Sequence, residues 1–109
     1  MGEVKPKIET LAAIKVVGVG GSGSSAVNWM VESKKIRGVD FVTVNTDAQA
    51  LYHSLAPIKL HIGKVSTKGL GAGMDPEQGK KSAEENQNEL RDLLKGSDMV
   101  FITCGLGGG

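Results

Sequence analysis

The stretch Ile14-Lys15-Val16-Val17-Gly18-Val19-Gly20-Gly21-Ser22-Gly23-Ser24-Ser25 decides the fold. Its first six residues are mostly β-branched and end on glycine, as a short buried strand does. Ala26, Val27, Met30 and Val31 then recur at helical spacing, which predicts a helix from near Ser24 to about Lys34. Glycines between a strand and a helix supply positive φ or let backbone approach a ligand closely. Gly18 to Gly23 fits the pattern G-x-G-x-x-G, and a helix N-terminus carries about half a positive charge. An anion, most naturally a phosphate, is the ligand such a turn suits.

Reading outward, Phe41 to Val44 forms a second strand that runs into Asn45-Thr46-Asp47, a turn and helix-cap cluster. Ala48 to Ser54 gives two helical turns, ended by Pro57. Ile58 to Ile62 alternates as a strand with one wet face does. Gly63 to Met74 reads as a long Gly-rich loop. Asp75-Pro76-Glu77 is a strong helix start, with a capping carboxylate and Pro at the first helical position. That helix is expected to run to Lys95 and stop at Gly96, held by Leu90, Leu93 and Leu94 with Ala83. Met99 to Thr103 is a last buried strand. Alternating strands and helices predict an α/β fold, a Rossmann-like doubly wound parallel sheet. Residues 1–13 read as an N-terminal arm and 14–109 as part of one ligand-binding domain. A helix is expected after Gly105-Leu106-Gly107-Gly108-Gly109, where the sequence stops, so the chain reads as part of a longer domain.

Of the 109 residues, 16 are Gly, and most of these fall in three runs: Gly18 to Gly23, Gly69 to Gly73, and Gly105 to Gly109. Gly is not at every third position, which excludes collagen, and not evenly spread, which excludes a flexible linker. All three runs follow predicted strands. With strand order 3-2-1-4, the first and fourth strands flank the switch point where ligands bind. Three Gly loops on one edge suit a ligand with several phosphates. The net charge of +1 and the lack of a basic run argue against nucleic acid. No apolar stretch is long enough for direct membrane insertion. One Cys excludes an internal disulfide, and the cytoplasm is the expected location.

Other chemistries find less support. A Walker A loop needs Lys where Ser24 stands. A dinucleotide site wants an acid at the end of the second strand, where Asn45 stands, with Asp47 two residues on. Half of an NAD-binding oxidoreductase domain remains the alternative. His53 and His61 lie on different elements, so no metal site is expected. Cys104 is expected to be a small buried residue. Trp29 either packs at the edge of the first helix or marks a contact surface.

Taken together the blocks resemble the FtsZ family, the tubulin-like bacterial division GTPases. They are Ile14 to Gly21, Val44-Asn45-Thr46-Asp47-Ala48-Gln49-Ala50-Leu51, Thr67-Lys68-Gly69-Leu70-Gly71-Ala72-Gly73, and Gly96 to Thr103. Gly105 to Gly109 is similar to the opening of that family's GGGTGTG signature. The resemblance implies strand order 3-2-1-4 and GTP or GDP as bound nucleotide, with Mg carried through the phosphates. It implies a nucleotide surrounded by Gly20, Gly21, Ser22, Gly23, Ser24 and Ser25, by Gly71, Ala72 and Gly73, and by Gly107, Gly108 and Gly109. Asn45 and Asp47 would form the rim. It also implies a head-to-tail homopolymer at the division site, other division proteins as partners, and hydrolysis completed by acidic residues of the next subunit. No catalytic residue is expected in this chain, and alone it is expected neither to bind GTP tightly nor to hydrolyse it; a non-catalytic fragment that caps filaments is a further alternative. Ser24-Ser25 departs from the family's usual Asn, or Gly then Asn. Trp29 stands where Arg or a polar residue is common.

Overall fold

The computed structural model describes residues 12–106. The elements are β1 (Ile14–Val19), α1 (Gly20–Ser33), β2 (Val39–Asn45), α2 (Ala48–Tyr52), β3 (Ile58–His61), α3 (Lys64–Thr67), α4 (Pro76–Glu85), α5 (Gln87–Leu94) and β4 (Met99–Cys104). The four strands form one parallel sheet in the order β3-β2-β1-β4. The α/β class and the expected strand order are both present.

Successive residues of β1 point to opposite faces of the sheet, and each face has its own core. On one side Val16 packs with Val27 of α1 and Ala56, joined by Met30, Val31 and Phe41. On the other, Val17 packs with Val42, Val44 and Ile62, covered by Leu90, Leu93 and Leu94 of α5. Each fully buried Val contributes roughly 1.5–3 kcal/mol. The core is thus aliphatic and thin, two layers of helix around one sheet.

Helix α1 begins earlier than its apolar spacing predicts. Gly20 alone takes positive φ, +74°, and helical turns follow at once. Each Gly in a helix costs about 1 kcal/mol relative to Ala, but here packing outweighs propensity. A Cβ on Gly23 would lie 2.5 Å from the Thr103 carbonyl oxygen. A Cβ on Gly18 would collide with the Gly23 carbonyl and lie 2.7 Å from Val27 Cγ2. The two glycines let α1 lie directly against β1 and β4.

Three further expectations change. The Gly63–Met74 segment contains α3, whose first amides are capped from a distance. Glu85 accepts hydrogen bonds from Val65 N at 2.9 Å and from Ser66 N and Oγ at 3.3 and 3.0 Å. The helix expected over 75–95 is two helices, broken at Asn86 (φ −110°, ψ 26°). There the Asn86 Oδ1 accepts from Gly63 N at 2.7 Å, which ties the break to the end of β3. Its start is as expected: Asp75 Oδ1 accepts from Glu77 N, with Pro76 opening the helix. Cys104 is exposed, not buried, because among the described residues β4 pairs only with β1 and its end is uncovered. Phe101 and Ile102 of the same strand are also more than half exposed. Trp29 is exposed on α1.

Gly18→Ala is expected to destabilise the protein by about 1–3 kcal/mol through overpacking, read from urea unfolding; an unchanged midpoint would contradict the close contact of α1 with β1. A second expectation concerns acid. The Val65 amide is the main cause holding the Glu85 carboxyl below its ordinary value, with the Ser66 hydroxyl and amide adding to it, His61 adding least, and partial desolvation opposing. A lowered carboxyl stabilises the fold above the ordinary value of about 4.3 and loses that contribution as pH falls through the lower folded value. The Val65 amide resonance should therefore titrate with a midpoint below about 4.3, and Glu85→Gln should abolish that titration.

Candidate functional site

The carboxyl ends of the strands define one edge of the sheet, and the polar loops gather there. Helix α1 opens onto this edge with no side-chain cap: its N-cap is Val19, and its first turn has no acidic residue. The first amides of a helix have no partner inside it, so the positive end of α1 is left to solvent or ligand. Gly20 and Gly21 face open space, since a Cβ on either would meet nothing within 4 Å.

That open space is a cavity of about 350 Å³. Gly20 and Gly21 form one wall, Asn45 and Asp47 a second, and Gly71, Ala72 and Gly73 a third. Seven of the residues singled out from sequence are thus brought together. Hydrogen bonds stitch the second and third walls to each other. Ala48 N donates to Gly69 O at 3.4 Å, and Asp47 forms an antiparallel bridge with Leu70. His61 Nε2 lies 3.0 Å from Thr46 O, which anchors the loop after β2 to the end of β3.

The side chains at the rim have defined donor and acceptor faces. Asn45 is buried, and its Oδ1 accepts from Asp47 N at 3.0 Å. Its amide NH₂ is then the group left for a ligand, and it can only donate. Asp47 caps α2 with Oδ1, accepting from Gln49 N at 2.9 Å and Ala50 N at 3.3 Å. Among the described residues its Oδ2 makes no hydrogen bond, so it remains an acceptor for a hydroxyl or a cation. Among the described residues no Lys, Arg or His lines the cavity. The site therefore offers backbone N–H groups, one amide and one carboxylate. Such a set binds phosphate through backbone dipoles instead of cationic side chains.

The remaining residues named from sequence lie elsewhere. Ser22 and Ser25 are exposed on α1, outside the cavity lining. Gly23 is buried against Thr103, and its role is to admit the strand. Ser24 is buried with its hydroxyl lacking any hydrogen-bond partner. Gly107, Gly108 and Gly109 lie outside the described residues, as does most of the 1–13 arm. Sequence reasoning missed seven other lining residues, Thr46, Leu70 and Met74 among them. Each of these three sits inside or beside a named motif, so adjacency was the available signal.

A buried unpaired hydroxyl costs about 1–3 kcal/mol. Ser24→Ala is expected to raise stability by about 1 kcal/mol, measured by thermal or urea unfolding. A loss of stability would mean that the hydroxyl has a partner, such as an ordered water.

Residues 13–109 match the model of the Tubulin/FtsZ family, GTPase domain. Two solved structures of FtsZ from M. jannaschii, a point mutant and an empty dimer, are each 47% identical to the chain. Their TM-scores are 0.84 and 0.85, and they cover 90% and 92% of this chain. CetZ2 from Haloferax volcanii, solved as a GTPγS-bound protofilament, is 30% identical with a TM-score of 0.74 over 89% of the chain. The chain spans 29% of the length of each FtsZ structure and 31% of CetZ2. With nearly all of its residues matched, the chain belongs to the Tubulin/FtsZ family, through the GTPase domain.

Proposed function

We propose that this chain is the phosphate-binding portion of an FtsZ-like GTPase that polymerises head-to-tail and acts in cell division. The observation that carries the reading is the uncapped N-terminus of α1 facing a cavity closed by the Gly71–Gly73 loop. Two glycine-lined backbone segments on one cavity suit the consecutive phosphates of GTP or GDP. Asn45, with only its NH₂ free, would donate to a phosphate or sugar oxygen. Asp47, with Oδ2 free, would accept from a ribose hydroxyl or sit near a magnesium ion carried by the phosphates. The family's GTPases and the GTPγS bound to the CetZ2 protofilament support guanine nucleotide over NAD.

Ser22, Ser24 and Ser25 and the glycines 107–109 belong to the proposed site only through the family resemblance. Self-association is supported by the FtsZ dimer and the CetZ2 protofilament among the similar structures. A cytoplasmic location at the division site, and other division proteins as partners, are part of the same proposal. Among the described residues no helix is long and apolar enough to cross a membrane.

Hydrolysis is a different matter from binding. Among the described residues Asp47 is the only carboxylate that lines the cavity, and its Oδ1 is occupied by the α2 cap. The 109-residue chain would hold the phosphates but would not position an attacking water. In titrations of the purified chain, GTP and GDP should bind in preference to NADH. Asp47→Ala should weaken GDP binding about tenfold, as loss of a charge-assisted hydrogen bond does. Phosphate release from GTP should stay at the uncatalysed level. A preference for NADH would overturn the nucleotide assignment, and measurable turnover would overturn the division of labour.

A further inference from the structure

We propose that Met74 sets how firmly the Gly71–Gly73 loop is held against the cavity, because it fills a turn position that asks for glycine. Ala72, Gly73, Met74 and Asp75 form a four-residue turn, closed by Asp75 N donating to Ala72 O at 3.1 Å. Both central residues have positive φ, +61° at Gly73 and +61° at Met74. A turn with two left-handed central residues is the primed kind, which takes Asn-Gly or Gly-Gly. An unbranched side chain at its second centre is held against the steric preference of an L-residue.

The surroundings show why the backbone stays there. After the turn, Pro76 confines Asp75 to extended backbone, observed at φ −96° and ψ 111°. The Asp75 carboxylate then caps α4 through Glu77 N. Before the turn, Gly69 O and the Leu70–Asp47 bridge fasten the loop to the start of α2. Between these two fixed ends, Gly71 takes φ +89° and Gly73 φ +61°, and only Met74 resists the conformation. Its side chain is 72% exposed, so packing returns little in compensation. The loop that forms the third wall is thus closed by its least suited residue.

Met74 lines the cavity, and its positioning effect is carried by the backbone of the 71–73 loop. The claim about loop closure stands on backbone geometry alone. Only its consequence for affinity rests on the guanine-nucleotide reading.

Two variants of the full chain separate backbone strain from side-chain contact. Met74→Gly removes both, whereas Met74→Ala removes the side chain and keeps the strain. Amide hydrogen exchange without nucleotide, followed at Asp75 N–H, reads turn closure directly. Met74→Gly should slow that exchange about three- to tenfold, and Met74→Ala should stay within about twofold of the parent chain. GDP, used as the probe, should bind Met74→Gly about three- to tenfold more tightly than Met74→Ala. Equal exchange in the two variants, or faster exchange in Met74→Gly, overturns the proposal. Slower exchange with unchanged GDP affinity overturns the positioning role. If no variant binds GDP, the guanine-nucleotide reading fails, and the exchange comparison still decides the strain at Met74.

Discussion

Everything at the ligand edge depends on one close approach, that of α1 against the β1–β4 pair. Gly18 on the strand and Gly23 on the helix leave no side chain between the two backbones. This contact fixes where α1 starts, and so where its unpaired amides point. Any wider separation would move the helix N-terminus away from the strand ends. Val27, fully buried one turn further on, then locks the same helix into the core. Packing and ligand recognition are therefore decided by the same few residues.

The second wall of the site is organised by hydrogen bonds instead of apolar contact. Asn45, Thr46 and Asp47 satisfy each other and their neighbours through backbone amides and carbonyls. The third wall is tied to the second by the bridge at Leu70 and to the body of the protein by α3 and α4. Glu85 and Asn86 reach back from the α4–α5 junction to hold residues 63–66. The break in the long helix and the position of the Gly-rich loop are thus two ends of one polar network. Ser82, fully buried beneath Gly63, fills the space that a side chain on Gly63 would need.

The four strands and the helix start at Asp75 were legible because each rests on local chemistry, whereas the strand order came from the family resemblance. β-branched runs, a capping acid followed by Pro, and paired glycines carry their meaning within a few residues. Seven cavity residues were legible for the same reason, since the loops after parallel strands share one edge. What escaped was non-local. The α3 turn is capped from 20 residues away by Glu85, and no window of sequence around Lys64 reveals that. Helix α1 began early because tertiary contact at Gly23 overrides the poor helix propensity of the glycines. Ser24 was named from its place in a motif, yet a helix turns each residue by 100°, and that turn sends its side chain into the protein and away from the cavity. Cys104 was expected to be buried as a strand residue, and the edge position of β4 decides otherwise.

The strand order has a consequence for how the chain is made. β1 is central, between β2 and β4, and the backbone beside it is tied across 85 residues where Ala13 N meets the Asp98 carboxylate. At roughly 5–20 residues per second of synthesis, one side of β1 waits several seconds for its neighbour to emerge. During that interval the first 95 or so residues present an apolar strand with an open flank. Until Met99 to Cys104 are made, the flank of β1 that β4 covers has no strand to pair with.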